Sequence, residues 1–195
     1  MRINKITKAS PSPTTMFIGT ESDTLDTYNF LASYVSGSSR GDFFSTDIQT
    51  PSNISEVVNI TFNGENINYI SGFELVPTQT GEMSGIKALK SGIFKVSLTT
   101  NIQSTLGGTI AFWIVNGINA DTYTSVPFTG KRTILSAGAN VINTMSFKWA
   151  IKLNEGDVMQ VFFKCLTNIS SLKPLVNVIP NNSNSVNLII NEIQV

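Results

Sequence analysis

The sequence predicts an all-β fold, an antiparallel sandwich preceded by an extended arm, on three observations. In residues 145–163 (MSFKWAIKLNEGDVMQVFF), Met145, Phe147, Trp149, Ile151 and Leu153 alternate with Ser146, Lys148, Ala150 and Lys152, and Asn154-Glu155-Gly156-Asp157 then leads to a second apolar run. Successive side chains on a strand point to opposite sides, so strict alternation reads as a sheet with one buried face. From Val57 onward such signals recur roughly every ten to fifteen residues, the habit of sandwiches and jelly rolls. Nowhere does a helical period persist.

Residues 1–52 read as the arm. Pro11, Pro13, Pro51 and the cluster Ser36-Gly37-Ser38-Ser39 interrupt it, and its apolar residues are scattered, so it cannot bury enough surface alone. Only 27–35 (TYNFLASYV) suggests a short strand or helical turn. The body, 53–195, opens with Val58, Ile60 and Phe62 alternating up to the turn Asn63-Gly64, and Ile67, Tyr69, Phe73 and Leu75 continue the pattern. In 93–102, Phe94, Val96 and Leu98 point inward and Lys95, Ser97 and Thr99 outward. Gly107-Gly108 separates this strand from 109–116, which ends on the turn signal Asn116-Gly117. A strand near 131–136 follows, then 145–153 and 158–163, whose short Gly-containing break reads as a hairpin. Strands at 175–179 and 186–195 complete the body.

Two strands depart from the half-buried pattern. Ile110-Ala111-Phe112-Trp113-Ile114-Val115 is apolar on both faces and must be covered on both. The last strand places Val186, Leu188 and Ile190 on one side and Ile189, Ile193 and Val195 on the other. Outward Trp and Ile on a domain of this size point to oligomerisation. Ala111, Trp113, Val115, Ile189 and Ile193 are therefore expected to form an oligomer interface, with the arm threading along neighbours.

A chain of 195 residues can bury a core without disulfides or metal. Only 13% of its residues are charged, about half the usual share, and Asn, Ser and Thr carry the polarity instead. The formal net charge of zero hides an asymmetry. Arg2, Lys5 and Lys8 give the first eight residues +3; residues 9–82 hold nine acidic groups against Arg40 alone, a net of −8; residues 83–195 carry a net of +5. An acidic front and a basic back attract, within one copy or between neighbours. The N-terminus has charges but no apolar stretch of the signal-peptide kind, and no run approaches the ~20 apolar residues of a membrane helix. A cytosolic product with no membrane span is expected.

Three segments resemble the globular heads of the complement and tumour-necrosis-factor-like superfamily. They are Ser91-Gly92-Ile93-Phe94-Lys95-Val96, Phe112 to Gly117 (FWIVNG), and Leu153-Asn154-Glu155-Gly156-Asp157-Val158. The resemblance covers about 140 residues, from near Val57 to the C-terminus, and implies a single eight-stranded antiparallel jelly roll. It extends to the single jelly rolls of viral capsid and fibre proteins. The chain departs from the secreted heads in having no export signal, no collagen-like stalk and no closing Gly-aromatic motif, since it ends Ser185-Val186-Asn187-Leu188-Ile189-Ile190. That pattern points to a structural virion protein assembled in the host cytoplasm, a penton-like or minor capsid subunit contacting other capsid proteins.

Chemistry is sparse. With no histidine the chain lacks the usual general base near neutral pH and the commonest zinc ligand, so no enzyme is expected. Cys165 on an apolar strand reads as a buried, inert thiol. Glu155 and Asp157 flank Gly156 as turn residues rather than as an acid/base pair. Glu21, Asp23, Asp26, Asp42 and Asp47 match no calcium-loop spacing, so neither metal nor cofactor is expected. Arg2, Lys5 and Lys8 make too weak a footprint for nucleic acid. Arg40-Gly41-Asp42, after Ser36 to Ser39, resembles an adhesion motif on an exposed flexible tip that a host receptor would meet. Sequons at Asn53, Asn59, Asn168 and Asn181 matter only if the protein meets the glycosylation machinery.

The favoured reading is therefore a self-assembling capsid jelly roll, pentameric before trimeric. The alternative is a trimeric receptor-binding head using Arg40-Gly41-Asp42 or a loop near residues 121–127. A third is a carbohydrate-binding jelly roll with Tyr123 or Trp113 as the stacking platform.

Overall fold

A computed structural model of the chain describes residues 38–54, 56–138, 141–172 and 184–193, together with the backbone of 19–20 and 27–28. The chain divides into two compact units, Met1–Ser38 and Ser39–Val195. Within the first, Gly19–Thr20 pairs antiparallel with Thr27–Tyr28. The expected element at 27–35 lies otherwise outside the described residues, as does the strand expected at 175–179.

The second unit is a two-sheet sandwich whose principal strands are β1 (Arg40–Ser45), β2 (Met83–Ala88), β3 (Gly92–Gln103), β4 (Gly108–Gly117), β5 (Lys131–Leu135), β6 (Ile142–Leu153), β7 (Val158–Cys165) and β8 (Val186–Glu192). One sheet has the order β1-β8-β3-β6, the other β2-β7-β4-β5, and every pairing is antiparallel. Apart from the β4–β5 pair, successive principal strands lie in different sheets or are not neighbours, so the chain passes repeatedly across the sandwich, which is the jelly-roll arrangement. Short ladders extend it: Gly64–Glu65 on β1, Ser171–Leu172 on β3, Phe73–Pro77 on β2, Val58–Asn59 on β7, and Tyr123–Ser125 on β4.

Alternation decides which side chains fill the core. Phe94, Val96 and Leu98 of β3, Phe147, Trp149, Ile151 and Leu153 of β6, and Val186, Leu188 and Ile190 of β8 meet Ile110, Phe112 and Ile114 of β4 and Met159, Val161, Phe163 and Cys165 of β7. The Phe112 ring lies 4.8 Å from Phe147 across the sandwich, joining the two sheets, and 5.8 Å from its in-sheet neighbour Phe163. Each such side chain contributes about 1.5–3 kcal/mol through burial.

Three expectations need correction. Residues 145–163 are not a hairpin: β6 pairs with β3 and β7 with β4, so the Asn154–Asp157 turn carries the chain across the sandwich. Gly156, at φ +88°, supplies the left-handed residue of that turn. The body begins at Ser39 rather than 53, because β1 pairs with β8 over its whole length. Residues 67–69 form a 3₁₀ turn instead of a strand, their side chains unburied. The sequence reading did not single out β2, which carries no clear alternation: Gly85 stands where Val76, Val158 and Ala120 would press on any Cβ at 2.7–3.1 Å.

Candidate functional site

The five residues expected at one interface fall on opposite faces of the sandwich. Ala111, Trp113 and Val115 alternate with the core residues of β4, on the outside of the β2-β7-β4-β5 sheet; Ile189 alternates with the core residues of β8, on the outside of the other. Ile193 lies just beyond β8, its N–H donating to the Ile93 carbonyl at 2.7 Å. No single patch joins them. Val115 is 1% exposed, already covered by its own subunit, while Ala111, Trp113 and Ile189 are half-buried.

The outside of the β4 sheet also holds what the sequence reading missed. Every residue of β7 except Lys164 is buried, on both of its faces. Its outward Phe162 stands opposite Trp113 in register, the rings edge to face at 6.1 Å, and Tyr123 packs edge-on to Phe162 at 4.8 Å. The signal was legible: Val158 to Phe163 is apolar on both faces except for Gln160, as suits a strand covered on both sides.

Arg40-Gly41-Asp42 is the start of β1, not a loop tip. Gly41 is buried, and a Cβ there would sit 2.6 Å from the Phe43 ring. The Arg40 guanidinium lies 4.6 Å from the centre of the Tyr69 ring, and Asp42 Oδ1 accepts from Asn187 Nδ2 at 3.1 Å. Backbone pairing on both sides, to β8 and through Ser71, holds the tripeptide extended. The expectation of a mobile adhesion loop fails because the alternation Gly41, Phe43, Ser45 points into the core and recruits the segment into the sheet.

The sandwich is asymmetric at its two edges. On one side β5 and β6 have no further strand beyond them among the described residues, and they display Lys131, Arg132, Lys148 and Lys152, all exposed. On the other side β1 is partly covered by Gly64–Glu65, and Asp47, Glu65 and Glu74 are exposed there, Glu74 standing across from Lys87. Edge lysines discourage indiscriminate strand addition, and oppositely charged edges favour one specific partner.

Beside the basic edge, the 126–130 turn presents Phe128 at full exposure (101%) and at φ +63°, the one non-glycine with positive φ among the described residues. Its neighbours are pinned. Thr129 Oγ1 donates to the Val126 carbonyl at 2.8 Å and accepts from Ile114 N–H at 3.1 Å, while the Trp149 indole N–H donates to the Thr129 carbonyl. A bulky residue in the left-handed region is costly and persists only where its surroundings dictate it, a feature that clusters at functional sites.

A groove of about 310 Å³ opens on the outer face of the β4 sheet, with Phe162 as its floor and Tyr123, Asp121, Glu82, Thr78 and Asn59 around it. Gln79 N–H donates to both Asp121 carboxylate oxygens (3.1 and 3.3 Å), tying the turn at 78–82 to that at 119–122. Beneath, Asn59 Nδ2 and Gln160 Nε2 both donate to Ser84 Oγ at 2.8 and 3.2 Å.

Cys165 is fully buried and burial pushes its thiol up, against the lesser effect of the Ser170 backbone N–H. Glu155 and Asp157 occupy the β6–β7 turn, where Asp157 Oδ2 accepts from Asn154 N–H at 2.8 Å and Asn116 Nδ2 at 3.0 Å. Among the described residues no cluster of acidic or thiol groups is suited to hold a metal, and no helix is long and apolar enough to cross a membrane. Arg2, Lys5, Lys8, Glu21, Asp23 and Asp26 lie outside the described residues.

No family model matches the sequence, and no curated protein does. Among solved structures the chain is similar to murine APRIL at pH 8.0 (TM-score 0.48, 12% identity, 80% of this chain and 99% of that one). It is also similar to murine APRIL at pH 5.0 (0.46, 11%, 80% and 99%) and to Eiger TNF from S. frugiperda (0.46, 13%, 80% and 93%).

Proposed function

We propose that this chain is a non-enzymatic recognition head of the trimeric, tumour-necrosis-factor-like type, whose copies join head to tail through oppositely charged edges. One observation carries the reading: Lys131, Arg132, Lys148 and Lys152 line the open edge of the sandwich, while Asp47, Glu65 and Glu74 line the opposite one. A contact between unlike patches is heterologous and closes into a ring when the rotation per copy permits. Charge sets register and association rate, and the exposed Phe128 and Ile134 beside the basic edge supply apolar surface for affinity. Recognition suits the fold better than catalysis because the chain has no histidine to act as a general base near neutral pH.

No observation on the described residues favours the capsid subunit over such a head. The two readings separate on ring size, five copies against three. Light scattering and sedimentation velocity on the full chain should give a trimer that dissociates as salt is raised. Lys148→Glu with Arg132→Glu should yield monomer, and adding Glu65→Lys with Asp47→Lys should restore assembly. A chain that stays monomeric at high concentration, or a charge reversal without effect, would overturn the proposal; a pentamer would return the capsid reading.

A further inference from the structure

We infer that the groove over Phe162 is a binding site for a neutral carbohydrate. Its volume, about 310 Å³, is at the lower end of small-molecule sites (~300–1,000 Å³) and fits one or two sugar rings. The chemistry of the lining is selective. Tyr123, 43% exposed, offers a rigid aromatic surface held edge-on by Phe162, against which the C–H face of a pyranose stacks. Around it stand groups that suit hydroxyls. The Asp121 and Glu82 carboxylates accept, and the Thr78 and Thr80 hydroxyls, 2.7 Å apart, both donate and accept.

One feature points to a ligand rather than to idle surface: the walls are preorganised. Asp121 is fixed to the facing turn through Gln79, and Asn119 Oδ1 accepts from the Asp121 and Thr122 N–H groups at 2.9 and 2.8 Å. No cation lines the groove, and two carboxylates do. Anionic sugars and phosphates are thereby repelled, and the aromatic face beside hydroxyl-binding groups suits uncharged hexoses and N-acetylhexosamines.

The inference stands apart from the ring: the groove is built within one copy and its residues are not those of the basic edge. The test is saturation-transfer NMR on the full chain with a panel of neutral methyl glycosides, plus N-acetylneuraminic acid and lysine amide as charged controls. At least one neutral glycoside should show transfer concentrated on one ring face. Tyr123→Ala and Asp121→Ala should each weaken it by about tenfold or more while melting temperature confirms folding. The Lys148→Glu variant should bind unchanged, so loss of assembly and loss of sugar binding read out separately. No transfer to any neutral glycoside, preference for either charged control, or binding indifferent to both groove substitutions would overturn the assignment.

Discussion

Replacing Phe128 by Asn should stabilise an isolated subunit while weakening its assembly. A bulky L-residue in the left-handed region costs about 1–2 kcal/mol, whereas Asn visits it routinely. The Phe128 ring is fully exposed, so no buried area is lost on its removal. Asn also avoids the extra unfolded-state entropy that glycine would bring. The net gain is about 1 kcal/mol, which for a chain of this size raises the melting temperature by about 2–4 °C. The assay is thermal unfolding followed by circular dichroism, in the Lys148→Glu and Arg132→Glu background expected to be monomeric. Phe128→Ala is the control: it removes the ring but keeps the Cβ, and should gain much less. In the otherwise unaltered chain, either substitution should shift assembly to higher concentration. A monomer that Phe128→Asn destabilises by 1 kcal/mol or more would refute the reasoning, because it would mean that the ring is covered or that the backbone is not left-handed.

Two further perturbations test the sandwich itself. A Cβ at Gly117 would lie 1.8 Å from the Thr122 carbonyl oxygen, so Gly117→Ala must open the 118–122 turn and should cost about 2–3 kcal/mol in urea unfolding; an unchanged midpoint would contradict the placement of that turn. Burial alone would raise the Glu192 pKa, but the Ser39 N–H at 2.7 Å and the Lys90 ammonium at 3.3 Å outweigh it and hold it below the ordinary carboxylate value. A lowered folded-state pKa gives stability that is present above the unfolded value and lost as pH falls through the folded one. Glu192→Gln should therefore flatten the acid limb of the stability profile, by about 1 kcal/mol or less given the exposure of Lys90; an unchanged acid limb would dismiss the pairing.

The all-β class was legible because β3, β6 and β8 show the alternation that one buried face imposes. What the sequence did not display was partnership. The turn at Asn154–Asp157 looks the same whether it closes a hairpin or carries the chain to another sheet, because both need a residue like Gly156. β1 was hidden by its charged and glycine-rich start, and β2 by Gly85, whose missing side chain makes room for Val76 and Val158. Tyr123 and Trp113 were recognised as aromatic platforms, yet their relation depends on Phe162, which is brought between them only by the β4–β7 register. Asp121, Glu82 and Asn59 come from three separate segments and carry no shared motif. Phe128 offered no local sign at all, since its backbone angle follows from bonds made by Thr129 and Trp149.

The pairing of β1 with β8 sets how the sandwich meets mechanical load. Arg40 sits beside Asn191, so the chain enters and leaves the body at one pole, next to the Ser39–Glu192 contact. Tension drawn between those two points runs across the strands rather than along them. It would part the ladder rung by rung, as a zipper opens, instead of shearing all its bonds together, leaving the loops at the far pole undisturbed until the first strand has peeled away.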